Sequence, residues 1–224
     1  MTKAYKFDPH THTAESSLCS LLSANEMVDM YHAAGFGGIA VTDHIHEYFV
    51  SKCGDWDACV DRLLSGYKNA KSRGDELGLD VILGVEIRFN NVYGDFLVYG
   101  MDEKFLRQNP YIHRLNPQEF FKCHGDELLI IQAHPYRGED SPKLDCVHGL
   151  EVYNDNPRHV NNNDKTVALC ASRPELYTTS ASDTHQAGDV GTGWMEFNQP
   201  VVDAWQFRDL VRGREYLLGN APRE

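Results

Sequence analysis

Phe7-Asp8-Pro9-His10-Thr11-His12-Thr13 is the stretch on which the reading of this 224-residue chain turns. Side chains of an extended strand alternate at period two, so His10 and His12 point the same way and both imidazoles can reach one divalent metal from one face. A polar strand end with two capping histidines has the same pattern. What separates the two readings is whether other strands also end in ligands, and they do, in an ordered series. Gly38-Ile39-Ala40-Val41-Thr42, a short apolar run of the kind buried on both faces, delivers Asp43 and His44. Asp80–Val85 delivers Glu86, Leu128–Ala133 delivers His134, and a strand around Leu176–Ala181 delivers Asp183 and His185. Asp95-Phe96-Leu97-Val98-Tyr99 is also a strand, with its carboxylate at the beginning rather than the end.

Helices are expected between these runs. Ser23 with Glu26 three residues on reads as a capping box, and Gly35 ends the helix that follows. A long helical stretch runs from Trp56 to Leu77 before Gly78, and Asn116-Pro117 starts another, with proline at the first helical position. Gly149–Asn154 reads as a sixth strand, followed by helices near Asp164–Ala171 and Asp203–Arg212, while Pro135–His148 is expected to be a loop-rich return. Seven strands alternating with helices, and no repeat or linker, predict a single α/β domain over residues 1–224 built as a parallel barrel. One mouth of such a barrel would gather His10, His12, His44, Glu86, His134, Asp183 and His185, with Asp95 as a further member; these nitrogen and oxygen donors suit zinc, manganese or iron.

The formal charge of −12 argues against a broad nucleic-acid surface, which would draw on clustered Lys and Arg. A small phosphate ester remains a possible ligand, because bound cations reverse the sign locally. No apolar run approaches membrane-spanning length, and the opening Met1-Thr2-Lys3-Ala4-Tyr5 has no signal-peptide character, so the expected location is cytoplasmic. Cysteines 19, 53, 59, 123, 146 and 170 form no C-x-x-C pair and are expected to be free thiols, mostly small buried apolar groups; Cys19 lies near the histidine pair.

In this order, His10-Thr11-His12, Thr42-Asp43-His44, Gly84-Val85-Glu86, Ala133-His134-Pro135 and Ser182-Asp183-Thr184-His185 resemble the motifs of the PHP family, the polymerase and histidinol phosphatase superfamily. The resemblance covers nearly the whole chain and implies a distorted (β/α)7 barrel with two or three divalent ions. It implies that His10, His12, Glu86 and Asp183 hold one metal, that Glu86 bridges to a second taken by His134 and Asp95, and that His44 and His185 serve a third. Many relatives have histidine at the place of Asp95. Several also have a histidine or aspartate shortly after the H-x-H pair, where this chain offers Glu15 or Cys19. Asp43 reads as a carboxylate that orients a ligand imidazole.

Arg137 is the first candidate to grip phosphate by its planar fork, followed by Arg88 and Asn154. Closely spaced ions would supply hydroxide at neutral pH for in-line attack on phosphorus, with Glu86, Asp183 and His185 at the reacting centre and no serine or cysteine nucleophile. The expected activity is hydrolysis of a small phosphate monoester, by a histidinol-phosphatase-like or a general small-molecule phosphatase. The competing readings are a phosphodiesterase or exonuclease, a metal-dependent amide or ester hydrolase, and a non-catalytic metal-binding domain. The sequence leaves the general acid and the oligomeric state open.

Overall fold

A computed structural model describes residues 4–138 and 141–220. The opening Met1–Lys3 stretch lies outside the described residues, as do positions 139 and 140 within the expected loop-rich return. In chain order the elements are β1 (Tyr5–Thr11), α1 (Ala24–Ala33), β2 (Gly38–Val41), β3 (His44–Ile45), α2 (Glu47–Ser51), α3 (Trp56–Leu77), β4 (Asp80–Ile87) and β5 (Asp95–Tyr99). There follow α4 (Glu103–Gln108), α5 (Pro117–His124), β6 (Leu129–Ala133), β7 (Gly149–Asn154), α6 (Asn163–Ser172), β8 (Tyr177–Ala181), β9 (Gly193–Phe197), α7 (Ala204–Gly213) and β10 (Leu217–Asn220).

Local chemistry explains the helix ends. The Ser23 and Glu26 side chains satisfy each other's backbone N–H groups as a capping box, Asp55 accepts from Ala58 N at 2.9 Å to start α3, and Gly78 ends it in the left-handed region at φ 73°. Asn116 accepts from the backbone of Gln118 and Glu119 to open α5 behind Pro117.

The strands form one sheet in the order β10-β9-β1-β2-β4-β5-β6-β7-β8, with β3 beside β4. It curls into a nearly closed barrel, and β8 is tied across the gap where Ser180 Oγ donates to Gly219 O at 2.6 Å and Ser182 Oγ donates to Gly193 O at 3.0 Å. All seven expected strands are present; β3, β9 and β10 are additional.

The barrel departs from the expected parallel arrangement. β5 runs antiparallel to both β4 and β6, and β9 runs antiparallel to β1 and β10. This reversal explains the misplaced carboxylate of the fourth expected strand: because β5 runs the other way, its first residue, Asp95, lies at the mouth where the parallel strands end. At the far end, roughly 13 Å away along β5, Tyr99 packs on Phe207 of α7 with ring centroids 4.7 Å apart. Phe7 and Phe197 meet the same ring at 5.3 and 6.1 Å, so α7 closes the barrel's lower end with an apolar cluster.

Candidate metal centre

β1 is buried on both faces from Phe7 onward, and its two histidines do share a side, with ring centroids 5.0 Å apart. The pairing of β1 with β2 shifts register between Asp8 and Thr11, at Pro9, which has no N–H for the ladder. Buried Asp8 holds this irregular segment by accepting from His10 N at 3.1 Å, Ser182 N at 3.2 Å and Tyr31 Oη at 2.6 Å.

Around these histidines the other strand ends converge. His10 Nε2 lies 3.5 Å from Glu86 Oε2 and 3.4 Å from Asp183 Oδ1, and His12 Nε2 lies 3.3 and 3.4 Å from the same two oxygens. His44 Nδ1 is 2.8 Å from Glu86 Oε2, and the His12 ring lies 4.4 Å from His44 and 4.3 Å from His185. On the other side His134 Nε2 is 3.2 Å from Glu86 Oε1 and 3.8 Å from Asp95 Oδ2. Three groups have donor atoms mutually within 4.8 Å: His10, His12 and Glu86; Glu86, Asp95 and His134; and His12, His44 and His185. All eight residues predicted for the site are therefore in one place.

His10 Nε2, His12 Nε2 and Glu86 Oε2 are buried and have no hydrogen-bond partner among the described residues. A buried polar atom left unpaired costs about 1–3 kcal/mol, so three together demand an explanation. Ligand atoms about 2.0–2.2 Å from one ion at tetrahedral angles lie roughly 3.4 Å from each other. That is the spacing between His10, His12, Glu86 and Asp183, and the residues present fit a divalent ion.

Charge and tautomer are set from outside the cluster. Glu151 Oε1 accepts from His10 Nδ1 at 2.8 Å, which turns Nε2 inward, and Glu151 Oε2 accepts from His134 N at 2.8 Å. Burial opposes a charge on His10, but Glu151, Asp183 and Glu86 outweigh it and hold its pKa well above the ordinary value. Burial and then the neighbouring His185 and His44 hold His12 well below its ordinary value. Glu86 and Asp183 stay far below the usual carboxylate range despite burial, the first through His44 and His10, the second through His10, His12 and Arg137. Ionised carboxylates and a neutral His12 are states that metal ligands require, and His10 would give up a proton on ligating an ion. Two members also sit in strained backbone, His134 at φ 30° and Asp183 at φ 53°, a cost that non-glycine residues bear mostly at functional sites.

The remaining candidates divide. Asp43 accepts from Thr13 N, Thr13 Oγ1 and Ser17 Oγ at 2.8, 2.6 and 2.6 Å, while Ser17 Oγ reaches His12 Nδ1 at 3.4 Å, so its influence on His12 runs through Ser17. Burial pushes Asp43 up to about 6 against those hydrogen bonds. Gly66 of α3 lets that helix approach, since a Cβ there would collide with the Thr13 hydroxyl.

Arg88 grips Asp95 with two bonds of 2.7 and 2.6 Å. Arg137 donates to Asn161, Asn154 and Asp183 at 2.8 Å each, and its Nη1 enters no hydrogen bond among the described residues. Asn154 is fully buried and donates to Glu151, so it lies beneath Arg137 and away from open space.

Glu15 does not face the third group. Its carboxylate accepts from Ala24 N at 3.0 Å, at the positive end of α1, where a helix N-terminus favours an anion. The Cys19 thiol instead meets His44 and His185. Of the six thiols, all free, only Cys59 and Cys146 are fully buried, fewer than expected. Glu151 and Asp8 were not among the predicted site residues. For Glu151 the signal was legible, because it is a carboxylate inside the apolar run 149–153, where charge is excluded unless it is paired.

A model of the PHP domain matches residues 8–212. The chain belongs to the PHP domain family. No curated protein matches it. Among solved structures, it resembles a two-domain protein from Bacteroides vulgatus containing a predicted PHP-like metal-dependent phosphoesterase, with TM-score 0.71 and 16% identity, over 97% of this chain and 65% of that one. It thus spans less than two thirds of that protein. PsfC from Pseudomonas syringae has TM-score 0.70 at 18% identity, with 98% of this chain and 93% of that one covered. An amidohydrolase from Chromobacterium violaceum with bound sulfate and no metal has TM-score 0.56 at 16% identity, with 94% and 97% covered. At these identities the likeness speaks for the fold, a PHP-type barrel. No described helix is long and apolar enough to cross a membrane.

Proposed function

We propose that this PHP domain is a metal-dependent phosphoesterase that hydrolyses small phosphate monoesters. The observation that carries the reading is the trio of buried ligand atoms, His10 Nε2, His12 Nε2 and Glu86 Oε2, which have no hydrogen-bond partner among the described residues. His10, His12, Glu86 and Asp183 would hold one ion, Glu86, Asp95 and His134 a second, and His44 and His185 a third, with zinc, manganese or iron suited to these donors. Divalent ions bound there would make water acidic enough to ionise near neutral pH and offset the charge of the phosphoryl oxygens.

The chain's own residues supply position and exclusion. Glu151 fixes the ring of His10, and the Asp43–Ser17 pair that of His12. Arg137, half-buried and held by two asparagines, lines the hollow beside His134, where its guanidinium would pair with an anion. Asp95 is neutralised in part by Arg88, so the pocket holds less negative charge than its carboxylates alone would give. A net charge of −12 leaves no extended cationic track for a polynucleotide, which favours a small ester over a nuclease substrate. Hydrolysis at carbon is the competing chemistry, raised by the amidohydrolase among the structural neighbours.

The test is inorganic phosphate release from sugar, nucleotide and amino-alcohol monoesters, measured after loading with zinc, manganese or iron, with metal content determined on the same sample. Release that is lost on chelation and restored by metal is expected. Bound metal with no phosphate released from any ester would overturn the assignment.

A further inference from the structure

Two neighbouring hollows lie beside the metal centre and share part of their walls. The inner one, about 200 Å³, is lined by Asp95, Gln132, His134, Arg137 and His159. The outer one, about 570 Å³, is lined by His46, Tyr48, Asn90 and Asn91 among others. Arg88 and Tyr93 line both. The inner hollow has room for a phosphoryl group against Arg137. The outer one falls in the range of pockets that hold a small organic molecule, and nothing in the metal chemistry requires it.

Its walls are specific. Tyr48 and Tyr93 are 58% and 63% exposed, so both rings are accessible to a ligand from solvent. Tyr48 lies parallel to His46, with centroids 6.3 Å apart and planes 11° from each other, and Lys52 sits 4.8 Å from its ring. His46 is fixed in turn, because its Nδ1 accepts from Phe49 N at 3.1 Å and starts α2. Tyr93 reaches from the β4–β5 turn to the loop after β6. A Cβ on Gly138 would come within 2.8 Å of its hydroxyl, and Gly138 is at φ +71°, so glycine at that position lets the tyrosine lie close against the loop. Asn90 is anchored through Nδ2 to Glu47 Oε2 at 2.9 Å. Aromatic faces beside carboxamides are the chemistry that holds a flat ring by its faces and its polar edges.

We infer that the outer hollow is the leaving-group subsite, and that Tyr48 and Tyr93 determine specificity by selecting monoesters whose alcohol carries a planar aromatic ring with polar edges. This rests on the phosphomonoesterase reading above. The ring could be a purine or pyrimidine base, an imidazole or a simple phenyl group, all of which offer the same π face.

The test compares kcat/KM for a nucleoside 5′-monophosphate, an imidazole-bearing amino-alcohol phosphate and phenyl phosphate with that for ribose 5-phosphate and glycerol phosphate, on the metal-loaded protein. A preference of roughly fivefold or more for at least one ring-bearing ester is expected, since stacking one base is worth that much. Tyr48→Ala and Tyr93→Ala should each collapse this ratio, and Tyr93→Phe, which keeps the ring, should retain it; circular dichroism checks that each variant is folded. In parallel, the ring-bearing alcohol alone is titrated into chelator-treated protein and followed by calorimetry, with binding expected in the parent and lost in Tyr93→Ala. Equal kcat/KM for ring-bearing and ring-free esters, or a ratio that survives both alanine variants, overturns the subsite. Absence of phosphate release from every ester would defeat the phosphomonoesterase reading instead, and the titration alone would then decide whether the hollow takes a ring.

Discussion

Phe7 and His10 stand three residues apart on one strand, and the two ends of the barrel they belong to are built on opposite principles. At the lower end Phe7, Tyr99, Phe197 and Phe207 fill space with apolar rings, and Tyr99 satisfies its hydroxyl by donating to Pro9 O at 2.7 Å. At the mouth, His10, His12, Glu86 and Asp183 are as deeply buried, yet three of their polar atoms have no hydrogen-bond partner among the described residues and Asp183 sits in strained backbone. The lower end gains from burial, whereas the mouth bears costs that a bound cation would offset. Stability and function are thus separated along a single strand, as barrel architecture allows.

Substitution at the two ends should break that comparison most sharply. Glu86→Ala and His12→Ala should each lower turnover about a thousandfold, the several kcal/mol that metal positioning supplies, while thermal melting of the chelated protein changes little. Near-normal turnover in either variant would remove the residue from the site. Phe207→Ala should do the reverse, costing about 3–5 kcal/mol of stability. Its denaturant midpoint falls, and the activity of the molecules that remain folded persists. If Phe207→Ala instead lost metal while staying as stable as the parent, the division into two ends would be wrong.

Smaller effects sharpen the boundary. Glu151→Gln keeps the shape but weakens the acceptor for His10 Nδ1, and should lower metal affinity about 10–100-fold, read by competition with a chromophoric chelator. Arg137→Ala should raise KM about tenfold, as expected for a lost hydrogen bond to a charged group, with a lesser change in kcat; an unchanged KM would place Arg137 outside the phosphate site.

The smallest change is in reactivity. Burial pushes the Cys19 thiol up, but hydrogen bonds with His185 and His44 outweigh it and bring it down to about 6, whereas burial pushes Cys59 and Cys146 up to about 12. The thiolate is the nucleophile. Alkylation of Cys19 in chelator-treated protein should therefore rise through pH 6 and level off by pH 8, while the buried thiols stay slow. A Cys19 rate still climbing above pH 8, followed by peptide mass spectrometry, would count against that contact.

Much of this was legible from the residues alone. The capping box at Ser23, the glycine stop at Gly78 and the proline start at Pro117 are local devices, and they fell where expected. Short strands were harder. β3 has two residues, and β9 and β10 lie after the last motif, with only the brief alternation of Trp194-Met195-Glu196-Phe197 to announce β9. Glu15 was read by its nearness to His12 in sequence, but the open N–H groups of α1 claimed it.

The sequence by itself determined which donors exist, and at which strand ends, because period-two alternation and helix capping act over only a few residues. Only the tertiary structure decided that β5 runs backward and so brings Asp95 to the mouth, that Glu151 stands behind His10, and that Arg88 and Tyr93 line two neighbouring hollows. Strand direction and barrel closure depend on partners dozens of residues away, and no local preference encodes them.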